Sequence, residues 1–135
     1  MASIWYDGRV IVVVHLEIHE RQMPVLDREK CVACRGDSPI LTDEEIARLR
    51  PSLPQWALIT EDGMRQLHRT VKFTSFKGAI EFANRIADVA EHEGHHPRLV
   101  VEWGSVGVAW WTHKINGLHR NDFIMAAKTD LLIDS

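Results

Sequence analysis

Apolar positions along the chain recur with two periods, and each change of period marks a new element. Phe76, Ala79, Ile80, Ala83, Ala87 and Ala90 are three and four positions apart, the spacing of one helix face, and Phe82, Ile86 and Val89 widen it. This predicts a helix over 75–93, opened by Thr74 or Ser75 and ended by Gly94 and Pro97. Before it, Leu67, Arg69, Val71 and Phe73 alternate with His68, Thr70 and Lys72, a period-two strand over 64–73. Glu61, Asp62 and Gly63 form a hairpin turn back to a strand over 55–60. Strands over 98–103 and 106–112 follow, joined through Gly104 and Ser105. Thr42 and Glu45 have the spacing of a capping box and open a helix over 42–50 that stops at Pro51. A last helix over 119–132 turns Phe123, Ile124, Ala127 and Leu131 inward.

The order is helix-strand-strand-helix-strand-strand-helix. That pattern predicts an α+β two-layer sandwich, a four-stranded antiparallel sheet with helices packed on one face. With 135 residues the chain has room for one such core. Residues 1–40 differ from the rest. Val10–Ile18 is β-branched and reads as a strand, and Lys30–Pro39 is a turn-rich loop. The segment 1–40 is therefore expected to be an N-terminal extension, either flexible or edge-pairing, and 41–135 the folded domain. Met23 is an alternative start.

Composition narrows the chemistry. A net charge of −3 argues against a phosphate-binding surface and hence against direct nucleic-acid contact. No apolar run approaches the roughly 20 residues that span a bilayer, and the N-terminus lacks signal-peptide features. Cys31 and Cys34 form a single CxxC, too little for a disulfide framework, so a reducing cytoplasmic setting is expected. Eight His and five Trp stand out: imidazole exchanges protons near neutral pH, and indole offers flat apolar area for a ring.

Three histidines concentrate this chemistry. His95 and His96 sit where the long helix ends, and His113 ends the last strand. Being adjacent, His95 and His96 cannot face the same way, so one is expected deep in a pocket and one at its rim. Trp103, Trp110 and Trp111 lie on the strands between, where some can line the same pocket. Such a set suits a flat heterocycle that needs a proton donor and a proton acceptor, with no nucleophile or redox cofactor. Zinc is the competitor, because His92 and His96 are four apart and the CxxC could add ligands. His92, Glu93 and His96 have the HExxH spacing, but His96 lies past Gly94, where the helix is ending, and no metal is expected. His15, His19, His68 and His119 read as ordinary surface or core residues, and Glu93 as a solvated helix charge.

The residues also resemble a known family. FTSFKGAIEFANRIADVAEHEGHHP, then Trp103, then WTHKINGLHRNDFIMAAKTD resemble the pterin-4a-carbinolamine dehydratases, which include dimerisation cofactors. Glu91, His95, His96, Pro97, Trp103, Thr112, His113, Gly117, Leu118 and Asp122 fall in the family's order and spacing. With the CxxC and the following Leu-Thr-x-Glu-Glu, the resemblance covers about 31–132. It implies dehydration of a 4a-hydroxytetrahydropterin to the quinonoid dihydropterin and water, in pterin cofactor recycling beside an aromatic amino acid hydroxylase. It implies that His95 and His113 act as general acid and base in an order left open, with His96 also in the catalytic set. Glu91, Trp103, Thr112 and Asp122 become substrate-binding positions, and Asp122 a group that orients a His. It implies no cofactor and a homodimer or homotetramer. The chain departs from the family at Gly94, Gly104 and His119, the last replacing a Ser or Thr and so weakening the final helix cap. The alternative is a non-catalytic member, stabilising a transcription-factor dimer or assisting assembly of a carboxylase.

Overall fold

The computed structural model describes residues 2–6, 9–13 and 25–133. Strands β1 (Ala2–Tyr6) and β2 (Arg9–Val13) pair antiparallel in a sheet of their own, Ile4 opposite Ile11. The strand predicted over 10–18 is thus seen as Arg9–Val13. Residues 14–18, His15, His19 and the alternative start Met23 lie outside the described residues.

The main domain contains α1 (Asp43–Leu49), β3 (Ala57–Glu61), β4 (Met64–Lys72), α2 (Phe76–Glu93), β5 (Arg98–Glu102), β6 (Ser105–Trp110) and α3 (Arg120–Leu131). Its four-stranded sheet is antiparallel throughout, as expected, and the strand order is β3-β4-β6-β5. Asp62 and Gly63, both at positive φ, make the tight β3–β4 turn. The predicted capping box forms: the Thr42 hydroxyl accepts from Glu45 N–H at 3.2 Å, and the Glu45 carboxylate accepts from Thr42 N–H at 2.8 Å. Ser75 caps α2 by accepting from Gly78 N–H. Gly94, at φ 66°, ends α2 in the left-handed conformation that glycine adopts without strain.

Two helices differ from expectation in which side they bury. On α2 the period is as predicted but the face is rotated: Ala79, Phe82, Ala83, Ile86 and Ala90 are buried, while Phe76, Ile80 and Ala87 are exposed. The larger side chains set the axis of burial. Fully burying a residue such as Phe82 contributes about 1.5–3 kcal/mol, more than an alanine can.

On α3 burial extends well round the helix, from Asn121 to Ala126 and Thr129, while Leu131 is exposed. The cause lies in the segment expected to be an N-terminal extension, either flexible or edge-pairing. Residues Leu26–Arg28 form a 3-10 turn packed against α3, and Leu26 belongs to the same core as the sheet and helices. Lys128 donates to Asp27 C=O at 3.1 Å, and Arg120 pairs with Glu29 at 3.0 Å. Packing against α3 therefore begins well before Leu41, where the sequence reading opened the domain. A helix covered on two sides loses the one-faced pattern that the prediction assumed.

Candidate active site

The end of α2, the end of β6, the first turn of α3 and the segment 31–34 enclose a cleft of about 430 Å³. His95, His96 and His113 all line it, as does Thr112.

His95 is the deep member. The turn at Gly94 lets His95 N–H bond to Ala90 C=O at 3.1 Å and swings the imidazole under the sheet end. There it stacks on Trp110, with centroids 5.6 Å apart and planes 14° from parallel. Its Nε2 lies 2.6 Å from Asp122 Oδ1. Asp122 has no exposed surface, and its other oxygen accepts from the Thr112 hydroxyl at 2.7 Å and from His119 N–H at 2.9 Å. A buried carboxylate must be satisfied by donors, and this one is held from both sides. Thr112 and Asp122, both expected to touch substrate, are joined to His95 by this chain: the hydroxyl fixes the carboxylate, and the carboxylate fixes the ring.

The weak cap expected at His119 is instead a working one. His119 Nδ1 accepts from Asn121 N–H at 3.0 Å, so the imidazole does what a Ser or Thr oxygen does elsewhere. That requires an unprotonated Nδ1. Burial holds the His119 pKa below its ordinary value, aided by His95 and opposed by Asp122.

His96 and His113 are the exposed members. His96 pairs with Glu91, also exposed, at 2.9 Å. His113 starts a short 3-10 turn after β6 and tilts against Trp111 at 4.5 Å, and the Arg98 guanidinium lies 5.2 Å from the same indole ring. Trp110 and Trp111 are therefore the indoles that meet the histidines. Trp103 is not brought to the cleft. It is 77% exposed at the β5–β6 turn, the opposite end of β5 from Pro97, and five strand residues span about 16 Å.

The cleft also has a wall that sequence reasoning missed. Cys31, Val32, Ala33 and Cys34 line it, from the segment read as a loop. Asn121 holds this strap through both amide groups, accepting from Val32 N–H at 3.0 Å and donating to Val32 C=O at 2.7 Å. Glu93, expected to be solvated, is mostly buried; it accepts from Cys31 N–H at 3.0 Å and pairs with Lys128 at 3.4 Å. Burial alone would raise its pKa, but the Cys31 N–H and the Lys128 ammonium outweigh that and lower it. Lys114 donates to Cys34 C=O at 3.2 Å. Burial pushes the Cys31 thiol up to about 12, with Glu93 adding to the effect. Glu93 and Asn121 follow and precede residues of the family pattern by one or two positions, the only signal the sequence offered for them.

Among the described residues no three His, Cys, Asp or Glu side chains converge as metal ligands do, and no helix is long and apolar enough to cross a membrane.

Fold and cleft together define an α+β protein that presents histidines to a pocket, one of them backed by a buried carboxylate. Residues 39–132 match the family described as pterin 4 alpha carbinolamine dehydratase, and the chain belongs to that family. It is 53% identical over 112 residues to a protein of Syntrophotalea carbinolica named "Putative pterin-4-alpha-carbinolamine dehydratase", covering 83% of this chain and all of that one. It is also similar to the crystal structure of a transcriptional coactivator/pterin dehydratase from Brucella melitensis. That likeness has a TM-score of 0.64 and 30% identity, over 70% of this chain and 99% of the other.

Proposed function

We propose that the cleft dehydrates a 4a-hydroxytetrahydropterin by histidine acid-base catalysis. The observation that carries this reading is the His95–Asp122 pair at 2.6 Å in a cleft shared with His113. The C4a–O bond breaks and its electron pair leaves with the hydroxyl, which takes a proton from one imidazolium and departs as water. A ring-nitrogen proton passes to the other imidazole, and the N–H electrons form the new C=N bond. No net proton is consumed, so exchange with solvent resets the pair.

Asp122 suits His95 to the accepting role: it fixes the ring and balances the charge acquired with the proton, as the carboxylate of a catalytic triad does. His113, exposed at the mouth, donates and reloads from water. His96 and Glu91, paired at the rim, contact substrate rather than move its protons. In cells the reaction belongs beside an aromatic amino acid hydroxylase, whose turnover forms the carbinolamine.

The test is dehydratase turnover by the purified protein against His95→Ala, His113→Ala and the double variant. Single losses of about 100-fold or more are expected, and full activity in the double variant sinks the reading.

An assembly role is favoured by a second observation. Phe76 and Ile80 stay exposed on the outer face of α2, and Phe73 N–H bonds Gly104 C=O at 2.9 Å, which brings the exposed Trp103 turn to the same end of the domain. This apolar end suits a homodimer or homotetramer contact. Light scattering of wild type and Phe76→Glu tests it, with a smaller species expected for the variant.

A further inference from the structure

The strap 31–34 has hydrogen-bonding groups that the protein itself leaves unused. Val32 gives both its N–H and its C=O to one side chain, Asn121, so both point to one side. That is how an extended residue behaves, and in extended chain the next residue turns its own pair the other way. The next residue is Ala33, which lines the cleft. Near it three groups are taken, Cys31 N–H by Glu93, Cys34 C=O by Lys114, and Arg35 N–H by Ser38. Among the described residues neither Ala33 N–H nor Ala33 C=O has a hydrogen-bond partner. A cleft wall with an adjacent free donor and acceptor is built to pair with a planar amide-like edge.

We infer that Ala33 reads the pyrimidine edge of the pterin: its N–H donates to the ring C4 oxygen, and its C=O accepts from ring N3–H. The inference rests on the pterin reading above and adds a recognition element that contains none of the proton-transfer groups. The strap can serve because it is anchored at neighbouring points, by Glu93 at Cys31, by Asn121 at Val32 and by Lys114 at Cys34. Its peptide is therefore held in place before substrate arrives, and little ordering cost falls on binding.

The probe is 7,8-dihydropterin, a stable ring with the same 2-amino-4-oxo edge, titrated against tryptophan fluorescence. Trp110 and Trp111 beside the cleft histidines supply the signal. Ala33→Pro removes the donor, and its dissociation constant is expected to rise on the order of tenfold, whereas Ala33→Gly, which keeps both backbone groups, stays close to wild type. In turnover the Ala33→Pro loss falls on KM, with kcat nearly retained. Equal binding by Ala33→Pro and wild type overturns the inference.

A second measurement needs no variant. A 2,4-diaminopteridine reverses donor and acceptor at C4 and N3, and wild type is expected to bind it roughly tenfold more weakly. Equal affinity for the two rings also overturns the inference. Wild type that neither binds dihydropterin nor turns over carbinolamine removes the dehydratase reading itself. Turnover without discrimination between the rings removes only the role of Ala33.

Discussion

His95 Nε2 and Asp122 Oδ1 are 2.6 Å apart, and the carboxylate has no exposed surface. Asp122 also closes the cap of α3 through His119 N–H, so one side chain joins the His95 imidazole to the start of a helix. Asp122→Asn keeps the shape but removes the charge that orients and balances His95. It is expected to lower kcat by about 100-fold or more in the dehydratase assay. Asp122→Ala is expected to cost a further 1–3 kcal/mol of stability, roughly, because Thr112 and His119 lose their acceptor. An Asp122→Asn protein of unchanged kcat would remove the dyad from the mechanism.

His119 links pH to stability. Its folded pKa lies below the unfolded value, so the folded state favours the neutral ring. The associated stability is complete above the unfolded value, about 6.5, and is lost as pH falls through the folded value. Thermal midpoints are expected to drop between about pH 8 and pH 5. His119→Ser, which caps without titrating there, is expected to drop less. Parallel curves for the two proteins would show that the cap does not sense pH.

The CxxC thiols are expected to differ in reactivity. Burial pushes the Cys31 thiol up to about 12, and it donates weakly to Asn121 C=O, whereas the Cys34 thiol makes only a solvent-exposed contact with Arg35 C=O. Maleimide labelling followed by peptide mass analysis is expected to find Cys34 modified first, by about tenfold or more, with dihydropterin slowing the reaction. Equal labelling would contradict the burial of Cys31.

Trp103 supplies a negative control. Since it lies at the far end of β5 from the histidines, Trp103→Ala is expected to change kcat/KM by less than about threefold, in contrast to His113→Ala. A loss as large as that of His113→Ala would place Trp103 in the reaction after all.

Most of the fold was legible because local rules and tertiary packing agree. Alternation in β4, the Thr42–Glu45 box and the glycine at the end of α2 each specify their element from a few neighbouring residues. The face of α2 was misjudged because Phe76 and Ile80 fit the period yet lie on the rim of burial. Burial around α3 could not be read locally, since it depends on Leu26, nearly a hundred residues earlier.

The site shows the same division. His95, Thr112 and Asp122 were named from the family pattern, although that pattern could not say that Thr112 acts through Asp122. Trp103 was misplaced because the pattern carries order along the chain but not the direction of the hairpin. The strap was missed because its contacts span sequence separations of 62 and 89 residues, beyond any periodicity.

Asn121 grips the strap while its neighbour Asp122 grips His95, and the strap carries no histidine. Cys31–Cys34 can therefore be reworked without disturbing the His95–Asp122 pair. The cleft is thus built as an interchangeable part clipped to a permanent one by a single amide.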